Sequence, residues 1–482
     1  MESMCNAYKK SIGDIGMSED RVFDLLCIGS GPAGQRAAVQ AAKVGKRVVV
    51  VEKRRGVGGL CLDTGTIPSK TFREAVLAFG KQAEQFRSHH GFSPSERLTI
   101  TRLLSRVNDV VEREGDVIDR QLQRNDIEVL RGEAAFLDPH TLKIFTETET
   151  LHVRADRILI AVGTVPAPTP GVPCDGEVII NSDGVTKLRR LPKSMVVVGA
   201  GVIGIEYASM FGALGIEVTL VDRRDRALEF LDSEIVDELI HQMRKNNVVF
   251  RSGETVERLD LTEGTPTRAV IHLESGKRLV SDLVLFSIGR MGATDSLNVG
   301  AAGLEVDARG RLKVDEYFRT NVPHIFAAGD VIGYPSLAAT SSEQGRLSAC
   351  YAFDIPVQPM VSYFPIGIYA IPEISMVGET EQALTKKKIP YEIGLARYRE
   401  IARSQIVGDN TGLLKLLFHR HTRQLLGVHV IGSSATELVH VGQAVLGLGG
   451  GLDYFLTTVF NYPTMAECYK VAALDAWNKL SQ

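Results

Sequence analysis

Two short stretches of the chain carry glycines at a spacing that serves one purpose. Gly29, Gly31 and Gly34 follow the apolar run VFDLLCI, and Gly199, Gly201 and Gly204 follow MVVV. In such a GxGxxG turn the first glycine permits a tight bend, the second lets backbone approach a pyrophosphate, and the third lets helix pack close to strand. The phosphate then rests at a helix N-terminus. After each turn comes a helical stretch and a second strand ending in an acid, Glu52 in one copy and Asp222 in the other. The offsets are identical, 52 − 29 = 23 and 222 − 199 = 23, close to where a ribose-binding carboxylate is expected. A lone GxGxxG also occurs in ordinary Gly-rich loops. Strand before, helix after and acid at the same offset, twice over, indicate two dinucleotide sites, with Lys53 beside Glu52 as a further binding candidate.

The chain around these turns has 482 residues, too many for one core, so two to four domains are expected. It is 44% hydrophobic and 23% charged with 46 glycines, an ordinary α/β composition. With 55 basic and 58 acidic side chains the formal net charge is −3, which offers no field to concentrate nucleic acid or an anionic membrane. The stretch Met195 to Val221 is rich in apolar residues but carries Glu206, Glu217 and five glycines, and reads as strand, turn and helix rather than a span. The first twenty residues hold no apolar run of signal-peptide kind and are expected to be an extension. Six scattered cysteines suggest reduced thiols and a cytoplasmic protein. No His/Cys cluster has metal-ligand spacing, so no metal is expected.

Thr320 to Asp330, TNVPHIFAAGD, is a polar turn, a short strand and a Gly-Asp pair. Here the sequence resembles the FAD-containing pyridine nucleotide-disulphide oxidoreductases. The resemblance runs from about Arg21 to Leu480 and includes Ala161-Val162-Gly163-Thr164, Ile288-Gly289-Arg290, and Tyr369 to Glu381, YAIPEISMVGETE. It implies that Asp330 bonds the ribityl chain of FAD and that Gly29 and Glu52 hold its ADP half. The second unit would take NAD or NADP. The implied fold is α/β, with two Rossmann-like dinucleotide-binding domains and a C-terminal α+β dimerisation domain. Its expected segments are 21–165 and 291–355 for FAD, 166–290 for NAD(P), and 356–482 for the interface of a homodimer or higher homo-oligomer.

Gly58 to Lys70 reads GGLCLDTGTIPSK. Disulfide-using members of the family carry cysteines at the positions of Cys61 and Thr66. A dithiol relay needs two sulfurs, one to attack the substrate and one to close the bridge, and Thr66 removes the second. Those members also have a His-Pro-Thr and a following Glu. Here Asn461 to Glu467, NYPTMAE, puts Tyr462 in the His position, and a phenol of ordinary pKa near 10 is a poor proton shuttle beside imidazole. The pair GTIPSK and NYPTMAE is similar to the soluble pyridine nucleotide transhydrogenase subgroup. That resemblance implies ping-pong hydride exchange between NADPH/NADP+ and NADH/NAD+ through FAD alone.

By the same resemblance Lys70 lies near flavin N5 and pairs with Glu206, where a fixed cation would stabilise the electron-rich reduced ring. Cys61 is expected to pack against the cofactor rather than take part in redox chemistry, since it lacks a resolving partner. Nucleotide choice is expected at Asp222, Arg223, Arg224 and Arg226. A carboxylate there accepts from a 2′-hydroxyl, arginines favour a 2′-phosphate, and having both predicts use of both nucleotides. His429 and His440 read as face positions of a strand and a helix, and Glu437 as a packing position on an interface helix. Rival readings remain: a dihydrolipoamide dehydrogenase or glutathione-type reductase, an NAD(P)H oxidase or diaphorase, and a non-catalytic redox-sensing flavoprotein.

Overall fold

The computed structural model describes residues 21–90, 99–169, 173–361 and 363–481. The extension expected over residues 1–20 lies outside them. Contacts divide the chain into two units: residues 1–68, 109–165 and 290–360 form one, and 69–108, 166–289 and 361–482 form the other.

In the first unit, strand Arg21–Ile28 ends in four consecutive buried apolar residues, Leu25 to Ile28, the pattern of a strand buried on both faces. Phe23, Leu26 and Ile28 enter one core with Val49 and Val51. Leu25 and Cys27, with Val48 and Val50, face the alanines of helix Pro32–Ala42. From Leu25 onward the period of two places the strand between two cores; cutting the fully buried Leu26 back to Ala would cost about 2–5 kcal/mol. The sheet runs Glu128–Arg131, Val48–Glu52, Arg21–Ile28, Thr150–Ile160, Thr141–Phe145, Glu133–Phe136, and Ile325–Ala327 also pairs with Thr150–Ile160. The strands bearing the Gly-rich turn and the acid are parallel neighbours, with Leu26 opposite Val49. Helix Ala338–Ala352 can approach helix Pro32–Ala42 because Gly345 has no side chain: a Cβ there would stand 2.0 Å from the Ala33 carbonyl oxygen.

The second unit repeats the plan with a parallel sheet ordered Val248–Ser252, Glu217–Asp222, Ser194–Val198, Leu283–Phe286, Ile179–Asn181. An antiparallel three-stranded sheet, Val256–Leu261, Ala269–Leu273 and Arg278–Ser281, packs its apolar residues into the same core. A separate antiparallel sheet in this unit is ordered Ile366–Ile368, Ile374–Gly378, Leu425–Gly432, Gly412–His419, Tyr391–Arg397. Helices Ala435–Gly447 and Glu467–Leu480 bury Leu438, Val439, Tyr469, Ala472 and Ala476 in the core of that sheet. No helix among the described residues is long and apolar enough to cross a membrane.

Candidate active site

The two Gly-rich turns are built alike to the atom. Gly29 and Gly199 have φ of +105° and +108°, and a Cβ on either would stand 2.5 Å from a carbonyl oxygen, of Ala161 or of Ser287. A Cβ on Gly34 or Gly204 would lie 1.9 Å from the oxygen of Gly29 or Gly199. Gly31 and Gly201 differ from these: among the described residues, nothing beyond their own chain neighbours lies within 4 Å of where their Cβ would be. Both line cavities, and both cap helices, Pro32–Ala42 and Val202–Ala213, whose first turns receive no side-chain cap. Free N–H groups beside space a Cβ would fill are what a pyrophosphate requires.

The acids are also held alike. Glu52, 2% exposed, accepts from Ser30 N at 3.0 Å, Ser30 Oγ at 2.6 Å and Arg54 N at 2.8 Å. Asp222 accepts from Ala200 N and, at 2.8 Å, from Arg224 N. Burial pushes the Asp222 carboxyl up, but the Arg224 guanidinium and the two backbone N–H groups outweigh it and hold the group below the ordinary carboxylate range.

The first cavity is lined by Gly29, Gly31, Glu52, Lys53, Cys61, Thr66, Gly163 and Asp330 among others. Burial pushes the Asp330 carboxyl up, opposed by the Arg290 guanidinium and the Ser341 hydroxyl. Arg290 is itself fixed by Thr164, with Nε 2.8 Å from Oγ1 and Nη2 3.1 Å from the carbonyl oxygen. Gly34 packs behind this wall. Ser30, which sequence reasoning passed over, joins three pieces of the site: its Oγ donates to Glu52 and accepts from Gly58 N at 2.9 Å, next to the helix Gly59–Asp63 that carries Cys61. The only signal for it was a hydroxyl at the second position of the Gly-rich turn. Helix Gly59–Asp63 ends at Thr64 and Gly65, and Thr66 begins a second helix, Thr66–His90.

The second cavity is lined by Gly199, Gly201, Asp222, Arg223, Arg224, Glu254, Arg258 and Gly289 among others. Gly204 packs behind it. Arg226 is not among its lining residues; its guanidinium bonds Asp237 at 2.8 Å.

Lys70 stands one helical turn after Thr66. Its ammonium lies 2.8 and 3.0 Å from the two carboxylate oxygens of Glu206 and 5.0 Å from the centre of the Tyr369 ring. Glu206, 4% exposed at its side chain, also accepts from Tyr369 N at 2.9 Å. Tyr462 is 67% exposed, and Glu467 opens helix Glu467–Leu480 with one carboxylate oxygen buried and without a hydrogen-bond partner among the described residues. His440 and Glu437 are exposed on helix Ala435–Gly447.

His429 is buried on strand Leu425–Gly432, opposite Lys415, with Nε2 2.9 Å from the Glu379 carbonyl oxygen. Asp232, Glu234 and Glu381 bring carboxylate oxygens within 4.8 Å of one another. The cation among them is the Lys415 ammonium, 2.9 Å from Asp232, 3.0 Å from Glu234 and in contact with Glu381.

Residues 23–345 match the model of the pyridine nucleotide-disulphide oxidoreductases, and residues 364–473 match that family's dimerisation domain. The chain belongs to the pyridine nucleotide-disulphide oxidoreductase family. It is accordingly an oxidoreductase with FAD and a nicotinamide nucleotide as cofactors, and the two Gly-rich cavities fit two such groups. Among family members, it is 51% identical over 463 residues to the soluble pyridine nucleotide transhydrogenase of Mycobacterium tuberculosis, covering 95% of this chain and 98% of that one. The protein of that name from Photobacterium profundum is 43% identical over the same shares. Of solved family structures, the HOCl-induced flavoprotein disulfide reductase RclA from Escherichia coli aligns with a TM-score of 0.84 at 26% identity, covering 94% of this chain and 99% of that one. LpdA from Mycobacterium tuberculosis aligns at 0.85 and 25%, with the same coverage.

Proposed function

We propose that this chain moves hydride reversibly between NADPH/NADP+ and NADH/NAD+ by way of FAD, with no redox disulfide. One observation carries the reading: Cys61 and Thr66 both line the first cavity, so its wall holds one sulfur where a dithiol relay needs two. The names borne by the Mycobacterium and Photobacterium relatives support it.

FAD, when bound, supplies a ring that takes up a hydride and gives it back. The protein's part is to bind and orient. Gly29, Gly31 and the start of helix Pro32–Ala42 hold the pyrophosphate, Glu52 the adenosine ribose, and Asp330 the ribityl chain. Lys70, neutralised in part by Glu206, presents a fixed positive charge that favours the electron-rich form of the ring. Gly199, Gly201 and the start of helix Val202–Ala213 hold the nicotinamide nucleotide, whose 2′ position is read by Asp222, Arg223 and Arg224. Both nucleotides use this site, so the first must leave before the second binds. The balance is complete: the dihydronicotinamide of one nucleotide loses the hydride that the oxidised nicotinamide of the other gains, and no external oxidant is needed. Both nucleotides carry the same ring, so the exchange is close to thermoneutral. Homodimerisation through residues 364–473 belongs to this reading, supported by the family match.

The test is anaerobic. The flavin is reduced with NADPH, NAD+ is added, and NADH formation with return of oxidised flavin absorbance is expected. Efficient turnover of lipoamide or glutathione disulfide would overturn the proposal.

A further inference from the structure

The acid after each Gly-rich turn is held by the same backbone pattern, yet only one is covered by an arginine. At the first site the Arg54 guanidinium turns away from Glu52 to Asp63, with Nε 3.1 Å from Oδ2. At the second, Arg224 forks onto Asp222, with Nε 2.9 Å from Oδ1 and Nη2 2.8 Å from Oδ2. Each oxygen of Asp222 therefore accepts one backbone N–H and one guanidinium N–H. A ribose 2′-hydroxyl seeking that carboxylate finds both oxygens taken.

The two partners differ in freedom. The Asp222 side chain is 6% exposed and the Arg224 side chain 41%, so Arg224 can swing into solvent while Asp222 stays. Arg223, exposed in the same wall, has no ion-pair partner among the described residues.

Resting on the nicotinamide reading of this cavity, we infer that Arg224 is a movable counter-ion that sets nucleotide preference. Seated on Asp222, it cancels the charge that would repel a 2′-phosphate and withholds the carboxylate from a 2′-hydroxyl. The phosphorylated nucleotide meets Arg223 and Arg224 with Asp222 already neutralised. The unphosphorylated one binds only as Arg224 leaves. Glu52, never covered, is the internal contrast: its site serves a nucleotide with a plain ribose.

The test uses FAD-loaded protein and two probes that carry no nicotinamide and cannot reduce the flavin, 5′-AMP and 2′,5′-ADP, titrated by calorimetry. In Arg224→Gln, 2′,5′-ADP is expected to weaken about tenfold and 5′-AMP to tighten about threefold, the scale of one charge-assisted hydrogen bond lost or freed. In Asp222→Asn, 2′,5′-ADP is expected to tighten and 5′-AMP to weaken. If either variant shifts both probes in the same direction, or if 5′-AMP binds Arg224→Gln no better than wild type, the counter-ion role is overturned. Wild-type protein that binds neither probe refutes the nicotinamide assignment itself. Wild-type protein that binds both but makes no NADH from NADPH and NAD+ refutes only the proposed reaction.

Discussion

The Lys70 ammonium rests 2.8 Å from Glu206, a contact between helices 136 residues apart in the chain, and the same carboxylate is tied to the backbone of Tyr369. A lysine held this way is a fixed charge rather than a roaming one. If Lys70 stabilises the electron-rich ring, Lys70→Ala should slow flavin reduction by NADPH about a hundredfold in stopped-flow absorbance. A rate equal to wild type would remove Lys70 from the mechanism.

Cys61 stands in the cavity wall with Thr66, not a second cysteine, completing the expected pair of positions. Cys61→Ser should keep NADPH-to-NAD+ transfer within about twofold, since the change preserves volume and removes only redox chemistry. A loss above tenfold would show that the thiol takes part.

The glycines separate folding from binding. A Cβ on Gly31 enters open cavity, while one on Gly34 meets the Gly29 oxygen at 1.9 Å. Gly31→Ala should therefore purify folded but depleted of FAD, with the apoprotein melting as wild-type apoprotein does, whereas Gly34→Ala should lower the melting temperature of apoprotein too. Gly201→Ala should retain FAD and raise KM for both nucleotides about tenfold, a loss of about 1.4 kcal/mol. Full FAD occupancy in Gly31→Ala would contradict the pyrophosphate assignment.

His429 is buried, and burial pushes its imidazole below the ordinary histidine value, against the pull of Asp232 and the Glu379 carbonyl. The unfolded chain then binds the proton more readily. Stability is expected to be full above about pH 6.5 and to fall as pH drops toward the folded-state value, with a slope of at most about 1.4 kcal/mol per pH unit. Denaturant unfolding between pH 5 and 7.5 should show this slope in wild type and its loss in His429→Gln. Identical slopes would indicate that His429 titrates alike in both states.

Much of this was legible because the short apolar runs of Arg21–Ile28 and Ser194–Val198, and the glycines after them, encode local geometry that neighbouring residues determine. The acids Glu52 and Asp222 were legible for the same reason, one strand and one helix away. Side-chain commitments across long separations were not. That Arg226 bonds Asp237, or that Lys415 fills a pocket of three carboxylates drawn from Asp232, Glu234 and Glu381, depends on packing that no spacing announces. Ser30 was overlooked because any small residue fits a Gly-rich turn, and Ala200 holds the equivalent place in the second copy.

Both acids hang from main-chain donors, Ser30 and Arg54 in one case, Ala200 and Arg224 in the other. Amide groups are present whatever side chain the residue bears. On the role proposed for Arg224, the loop after Asp222 can exchange its side chains, and with them its choice of nucleotide, with the clasp on the carboxylate untouched. Selectivity, on that proposal, is a replaceable fitting on a permanent bracket.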